Sequence, residues 1–443
     1  MKKLIYILIA GAMVATGITS CTKDIKEINK VNPGQFSDSD PTLMITGAQL
    51  ANVLVNEGEA ARLAGIFAGH HTGFDRQFAS YNQYSMTSGD FNTPWGNIYT
   101  EGIAQCRIIR AKAAKANNKA LNAVACITEA NLLLTASALW GDIPNTEACT
   151  DGITAPKFDK MSDVHNSAIA LLDSALSYGA SGQSYGSAYT GGYDWAEVAN
   201  TLKARAYLRL SDYTNALDAA KNGIKAGGDL LADHSQETPG AWNLYFDFLY
   251  WNRAGYISAK GSHMEALLDT GSTLSRNNAK TDELARYDNY FLVDYITELD
   301  PNIDAGIFAA TANFPIVSYV ENELILAECY ARGGDFTNAL THLNNVRAQH
   351  AVTYGGQYDA YDMMDFASPA DGIKEILTEK YVSLYGQIEP WCDLRRTKNA
   401  IGVPPNVGSQ LPQRFLYPQD EINANKNTPK VGSLFDAMEI WPQ

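Results

Sequence analysis

Two six-residue segments that lie 123 residues apart are nearly identical, and they constrain the fold more than any other feature of the chain. They read DYTNAL at 212–217 and DFTNAL at 335–340, so that only Tyr and Phe differ. Each follows a helix-like stretch that ends in a small or polar turn, and each begins a second helix with apolar residues at helical spacing. The pattern predicts two helical hairpins of one kind. The apolar residues are Ala216, Leu217, Ala220 and Ile224 in the first copy, and Ala339, Leu340, Leu343 and Val346 in the second.

These hairpins resemble the tetratricopeptide type, in which an aromatic residue packs in the elbow and an alanine lets the paired helix come close. A period of 3.6 residues also predominates elsewhere, while the alternation that is typical of strands is scarce. The sequence therefore predicts a mainly α protein in which tetratricopeptide-like hairpins form a scaffold. Helical segments, some of them interrupted by turns, are predicted at 41–69, 93–116, 120–140, 161–178, 193–226, 316–347 and 371–384.

The two copies are separated by a segment of different character, about 227–315, which we predict to be an irregular, loop-rich, aromatic insert. Seven aromatic residues occur between 242 and 256, and a second aromatic cluster lies among polar residues between 74 and 99. Loops on a rigid scaffold commonly carry binding sites. The alternative for each ring is a place in a secondary core beneath the loops. The predicted ligand-binding residues are Phe74, Tyr81, Tyr84, Trp242, Trp251 and Tyr256.

The charge balance and the motifs argue against several other functions. With 34 basic and 49 acidic residues the net charge is −15, which would repel a nucleic-acid backbone. Residues 182–186 (GQSYG) match the pattern of a serine nucleophile elbow but lack the apolar strand that must precede it. His70 and His71 have no third ligand at a suitable spacing, so we prefer a polar helix end to a metal site. We predict no catalytic residue, no metal and no cofactor.

The first twenty residues are typical of a secretory signal, with a basic start and a mostly apolar stretch from Leu4 to Thr16 that is short for a membrane span. The segment 18–21 (ITSC) resembles the lipobox of bacterial lipoproteins, in which the cysteine becomes the lipidated first residue. We therefore predict a signal peptide at 1–20, a lipidated Cys21 with a tether over 21–40, and one domain over 41–443. A plain signal peptide followed by a chance cysteine is the alternative.

Further motifs follow the lipobox: WGNIY at 95–99, WGDIP at 140–144, AECY at 327–330 with GDF at 334–336 and LNNVR at 343–347, and EKY at 379–381 with EPWCDLRRT at 389–397. Their order and spacing over nearly the whole mature chain resemble the SusD/RagB family of nutrient-binding outer-membrane lipoproteins, most closely its SusD-like second branch. Trp140 and Trp391 adjoin apolar helical positions and are predicted to be buried anchors. Arg395 and Arg396 are predicted to pair with Asp393.

The resemblance implies a binding protein rather than an enzyme. It would be an outer-membrane lipoprotein, anchored through Cys21 and facing the cell exterior, that passes a nutrient to a SusC-like TonB-dependent transporter. We expect an oligosaccharide ligand, because the C–H faces of sugars stack on Tyr and Trp while their hydroxyls need polar partners. A peptide is the alternative ligand within the same family. A lipoprotein glycosidase and a helical-repeat scaffold for other proteins are the alternative functions.

Overall fold

A computed structural model describes residues 39–237, 239–294 and 297–441, and helices predominate among them, which confirms the mainly α prediction. Two π-helical turns, Asn97–Ile103 and Asp247–Asn252, and three 3₁₀ turns, Ser88–Phe91, Pro239–Ala241 and Met363–Asp365, join these helices. The α-helices are α1 (Pro41–Asn56), α2 (Glu59–Phe67), α3 (Arg76–Asn82), α4 (Asn92–Gly96), α5 (Ala104–Lys115), α6 (Lys119–Trp140), α7 (Met161–Ser177), α8 (Trp195–Arg209), α9 (Tyr213–Ala220), α10 (Leu244–Phe246), α11 (His263–Leu268), α12 (Leu284–Tyr290), α13 (Tyr319–Arg332), α14 (Phe336–Thr353), α15 (Pro369–Ser383), α16 (Glu389–Arg396) and α17 (Gln419–Ala424).

The strands are short, and every pair that they form is antiparallel. β1 (Thr72–Gly73) pairs with β6 (Ile257–Ser258), β2 (Ile143–Pro144) with β3 (Phe158–Asp159), and β7 (Phe291–Asp294) with β8 (Glu298–Pro301), while β5 (Leu230–Ala232) lies between β4 (Tyr189–Thr190) and β9 (Phe314–Val317). β5 begins the insert and β9 ends it, with Leu230 opposite Val317 and Ala232 opposite Phe314. Because β5 and β9 pair, the first and last residues of the insert lie side by side on the helical scaffold.

The two predicted hairpins are α8 with α9 and α13 with α14, and they lie side by side because α9 packs against α13. Ala216 and Ala220 of α9 share a buried cluster with Ile325 and Cys329 of α13. Helices that are far apart in sequence therefore form neighbouring repeats of one scaffold, and the insert connects the first hairpin to the second. The prediction of paired helical hairpins is confirmed.

The two similar hexapeptides also contain a helix cap. The carboxylate of Asp212 accepts hydrogen bonds from the backbone N–H of Asn215 at 3.1 Å and from its side-chain amide at 2.6 Å. Asp335 and Asn338 form the same two bonds at the same distances. A cap of this kind typically contributes about 1 kcal/mol to helix stability. Asp and Asn of the motif therefore begin the second helix, while the aromatic residue and the alanine pack it.

Two long predicted helices are interrupted. The segment 41–69 divides into α1 and α2 at Glu57 and Gly58, where a Cβ on the glycine would lie 2.1 Å from the carbonyl oxygen of Leu54. The segment 93–116 begins in α4, widens into the first π-helical turn and continues as α5. Both interruptions lie close to the candidate site described below.

The anchors predicted from the motifs are only partly correct. Trp140 and Trp391 are fully buried, as predicted. Arg396 pairs with Asp393 at 2.7 Å and also with Glu328 at 2.8 Å. The predicted pair between Arg395 and Asp393 is wrong, because the Arg395 guanidinium lies 3.6 Å from the ring centre of Trp391 and donates to backbone carbonyls instead.

Replacing Leu340 with Ala should lower the free energy of unfolding by about 2–5 kcal/mol, the usual cost of truncating a buried leucine. Leu340 is 7% exposed and shares a core cluster with Leu324 and Leu343. Urea denaturation of Leu340→Ala measures the effect, with Thr341→Ala on the exposed side of the same helix as the control. A loss below about 0.5 kcal/mol, the range of surface substitutions, would contradict this packing.

Among the described residues, α6 is the one helix with the length and apolar content of a membrane span. Its residues from Leu121 to Trp140 are buried inside the protein, and a core helix has the same composition.

Candidate functional site

Four aromatic side chains of the insert, Trp242, Phe246, Tyr250 and Trp251, lie together at the surface and form what we call the aromatic patch. The ring centre of Trp242 lies 5.2 Å from that of Phe246, 6.4 Å from that of Tyr250 and 6.2 Å from that of Trp251. Phe246 and Tyr250 are stacked at 4.8 Å. Tyr250 is 60% exposed and Trp251 is 65% exposed. Clustered apolar side chains that remain exposed commonly mark an interaction surface.

Local helical structure brings the patch together. The rings at 242, 246 and 250 are four residues apart, and α10 continues directly into the second π-helical turn. Asn243 begins this helix, because its side-chain oxygen accepts hydrogen bonds from the backbone N–H groups of Tyr245 and Phe246. π-helical turns are rare and are frequent at functional sites.

The opposite side of this helical turn is anchored in the core. Tyr245 is fully buried, its hydroxyl donates to the carbonyl oxygen of Gly386 at 2.8 Å, and its ring stacks on Phe308 at 4.2 Å. Phe248 packs against Phe78 at 5.2 Å. The helical turn that carries the patch is therefore anchored in the core, which limits the conformational entropy lost when a ligand binds.

A buried carboxylate attaches the insert to the first two helices. Glu57, at the break between α1 and α2, accepts a hydrogen bond from the backbone N–H of Leu244 at 2.7 Å and contacts Nε2 of His234 at 2.9 Å. Burial acts to lower the pKa of His234, but the hydrogen bond and the charge of Glu57 outweigh it and raise that pKa above its ordinary value. The charged form of His234 is thereby favoured beside the carboxylate.

Two of the predicted binding residues are core residues. Tyr81 is 5% exposed and its hydroxyl donates to Asp90 at 2.8 Å, while Tyr84 is 8% exposed and its hydroxyl accepts from the backbone N–H of Asn406 at 2.8 Å. Burial raises the pKa of both phenols. Neither ring has a free face on which a ligand could stack. The structure therefore corrects these two assignments: both tyrosines fill the core beneath the loops.

The remaining predicted residues divide into two groups. Trp242 and Trp251 belong to the aromatic patch. Phe74 is 48% exposed and Tyr256 is half-buried, and among the described residues no ring contact joins either of them to the patch. The patch is completed by Phe246 and Tyr250, which our site prediction omitted. The four-residue spacing of 242, 246 and 250 is the sequence signal for these two rings, because it places them on one side of a helix, whereas we predict a loop-rich segment here.

The other chemistry-bearing motifs do not form a site. Residues 182–186 lie in a turn, where the indole N–H of Trp195 donates to the carbonyl oxygen of Ser184. His70 and His71 follow the C-terminal end of α2, as predicted, but both are fully buried against Tyr381 and Tyr385 instead of lying at a polar helix end. In the part of the chain that the structure describes, no group of three or more His, Cys, Asp or Glu side chains could hold a metal ion.

Family comparison of the sequence agrees with this architecture. A family described as "Starch-binding associating with outer membrane" (SusD-like_2) matches residues 33–238. A second one, described as "SusD family" (SusD_RagB), matches residues 173–438, which is more than half of the chain and includes the patch. The chain belongs to the SusD family. None of the curated proteins matches this SusD-family sequence.

Solved structures of SusD-like proteins share the fold. A SusD/RagB family protein from Bacteroides thetaiotaomicron has a TM-score of 0.66 at 18% identity, over 88% of this chain and 95% of that one. A chitin-binding protein has a TM-score of 0.65 at 20% identity, over 91% of this chain and 100% of that one. A SusD superfamily protein from Parabacteroides distasonis has a TM-score of 0.65 at 14% identity, over 87% and 97%. At such identities the similarity shows the fold alone.

Proposed function

We propose that this SusD-family chain is a cell-surface lipoprotein that binds an oligosaccharide at the aromatic patch and delivers it to a SusC-like TonB-dependent transporter. The observation that carries the proposal is the patch itself, with four clustered rings of which Tyr250 and Trp251 are mostly exposed. Flat aromatic faces complement the C–H faces of sugar rings, and the tyrosine hydroxyl and the indole N–H can bond sugar hydroxyls.

Two comparisons support a glycan rather than another nutrient. The family that matches the N-terminal half is described as starch-binding, and one protein of similar fold is a chitin-binding protein. Starch and chitin are both built of sugar rings that present C–H faces. We propose capture of the glycan without cleavage, because the description of the matching family names binding. Incubation of the purified protein with each bound glycan should release no new reducing ends.

We expect Tyr250→Ala and Trp251→Ala each to lose about 1–3 kcal/mol of binding free energy, as exposed aromatic anchors do when they are truncated. The melting temperature should stay near that of the parent protein, because neither ring fills the core. A glycan array identifies a ligand, and isothermal titration calorimetry with thermal melting then compares the variants.

Tyr178 supplies the matched control for this experiment, because it is 36% exposed at the end of α7 and makes no contact with the patch. Tyr178→Ala should leave affinity unchanged. Normal affinity in both patch variants, or early melting of both, would show that the patch is not the binding surface.

The predicted lipid anchor at Cys21 can be tested directly in cells. Cys21 lies outside the residues that the structure describes. If Cys21 carries the lipid, Cys21→Ala should move the protein from the membrane fraction to the soluble fraction, because the acyl chains supply the partitioning free energy. Fractionation of cells that lack the transporter, followed by immunoblotting, measures this. A Thr22→Ala variant, which keeps the cysteine, is the control; continued membrane partitioning of Cys21→Ala would contradict lipidation.

A further inference from the structure

A cavity of about 330 Å³ lies beside the aromatic patch, between the insert and the first helices of the chain. Both π-helical turns border it: Asn97 begins one turn, and Asp247 and Asn252 are the two ends of the other. The second turn also carries Tyr250 and Trp251, so cavity and patch share one six-residue element. Since π-helical turns are frequent at functional sites, two of them at one cavity indicate that it is used.

A buried cation without an acidic partner lines this cavity. Arg62 is 9% exposed and lies over the ring of Phe248, with 4.2 Å between its guanidinium carbon and the ring centre. Nη1 donates to the carbonyl oxygen of Leu244 at 3.3 Å, and Nε has no hydrogen-bond partner. Arg62 forms no ion pair with any of the described residues. Burial lowers the pKa of Arg62, although Tyr245 and Glu59 partly oppose this. Within the described part of the chain, the guanidinium therefore has one hydrogen-bond acceptor, a backbone carbonyl, and its Nε remains without a partner.

Two carboxylates in the same cavity have few or no hydrogen-bond donors among the described residues. Glu59 is half-buried and its side chain makes neither a hydrogen bond nor an ion pair within the ranges that the structure describes. Asp247 accepts one side-chain hydrogen bond, from the amide of Asn252 at 2.7 Å. Burial is the main cause that raises the pKa of both carboxyl groups. Arg253 is the other cation of the lining, so the formal charges of two carboxylates and two guanidinium groups cancel.

We propose that this cavity is a subsite for one uncharged, hydroxyl-bearing sugar unit, and that it discriminates against uronic acids and amino sugars. A hydroxyl can donate to a carboxylate and accept from a guanidinium at the same time, so neighbouring hydroxyls of one sugar complement Arg62, Glu59 and Asp247 together. A carboxylate on the ligand would bond Arg62 or Arg253 but would be repelled by the negative charges of Glu59 and Asp247. An ammonium ligand would bond the carboxylates but meet Arg62 and Arg253. The inference rests on the proposed glycan binding at the adjoining patch.

The test uses hexasaccharides that differ in charge but not in backbone: β-1,4-linked glucose, N-acetylglucosamine, glucuronic acid and glucosamine. The same charge classes in other linkages are compared on a glycan array. We expect the glycans that bind to be neutral. Their uronic-acid and amino-sugar counterparts should bind at least about 10-fold more weakly, because loss of one hydrogen bond to a charged group changes the affinity by about this factor. A charged glycan that binds best would overturn the inference and leave glycan binding intact. No binding to any glycan would overturn the proposed function and the inference with it.

Variants separate this subsite from the patch. The pair Glu59→Gln with Asp247→Asn should weaken binding of the neutral hexamer about 10-fold and raise the affinity ratio of glucuronic to neutral hexamer by about 10-fold or more. Arg62→Gln should raise the affinity for the glucosamine hexamer relative to that for the neutral hexamer, because one positive charge of the lining is removed. Asp304→Asn, on an exposed loop outside this cavity, is the matched control.

Thermal melting and circular dichroism establish that each variant is folded. The double variant of Glu59 and Asp247 tests the subsite while the buried Arg62 stays intact, so the test does not require replacement of a buried side chain. If the folded double variant of Glu59 and Asp247 keeps the parent ratio of glucuronic to neutral affinity while Trp251→Ala loses affinity, the subsite is overturned and binding at the patch stands. Unchanged affinity in Trp251→Ala as well would contradict both.

Discussion

Replacement of Glu379 by Gln is expected to destabilise the protein by about 3–5 kcal/mol, which is the usual cost of removing one partner of a buried ion pair. Glu379 is fully buried on α15 and contacts Arg276, Arg286 at 2.8 Å and His350 at 3.0 Å. Burial acts to raise its pKa, but Arg276 and Arg286 hold it well below the ordinary value. The amide would leave two buried guanidinium groups without part of their countercharge.

Glu375 provides the matched control for Glu379. It lies one turn earlier on the same helix, binds the same Arg276 at 2.7 Å, and its side chain is 21% exposed. Glu375→Gln should cost less than about 1 kcal/mol, as partly solvated ion pairs do. Chemical denaturation of both variants at neutral pH gives the two free energies. Equal losses would mean that burial does not set the strength of this network.

The second large effect expected is a steep loss of stability in acid. The pKa of His71 and that of His165 are lowered to about 3, and that of His263 to about 4, in each case mainly by burial. The unfolded chain takes up these protons near pH 6.5 and the folded protein does not, so stability falls as the pH falls below that value. Each such proton contributes a slope of about 1.4 kcal/mol per pH unit.

Buried carboxylates add to this loss at lower pH. Despite burial, neighbouring cations lower the pKa of Glu328, Glu379, Glu389 and Asp393. A carboxyl group whose pKa is lower in the folded state stabilises the protein above its unfolded pKa, and this contribution disappears as the pH falls through the folded value. The histidine effect should therefore begin near pH 6.5, and the carboxylate effect should begin near pH 4.5 and continue to about 2 for Asp393.

Urea denaturation at pH 7, 6, 5 and 4 measures the slope. His165→Gln should flatten it, because one buried neutral imidazole is removed. His234 has a raised pKa and gives a control of opposite sign: its contribution is complete below about pH 6.5 and is lost as the pH rises through its folded pKa. His234→Gln should therefore lose more stability at pH 5 than at pH 9. A pH-independent free energy between 7 and 4 would contradict the burial of these histidines.

The sequence by itself determined the scaffold, because the interactions that form it are local. The cap between Asp212 and Asn215, repeated by Asp335 and Asn338, joins residues three positions apart. The apolar spacing that follows each cap fixes the packed side of the helix. The tryptophans of the motifs, at 140 and 391, were likewise identifiable as core, because they adjoin apolar positions of the same helices.

Only the tertiary structure decided which aromatic residues face solvent. Tyr81 and Trp251 lie in similar polar-aromatic sequences, yet one is 5% and the other 65% exposed. The hydroxyl of Tyr84 is bonded by the backbone of Asn406, more than 300 residues later in the chain, and no local pattern specifies such a contact. The same holds for Arg62, which is buried by Leu244 and Phe248 of the insert. Exposure depends on what covers a side chain, and here the covering residues come from distant parts of the sequence.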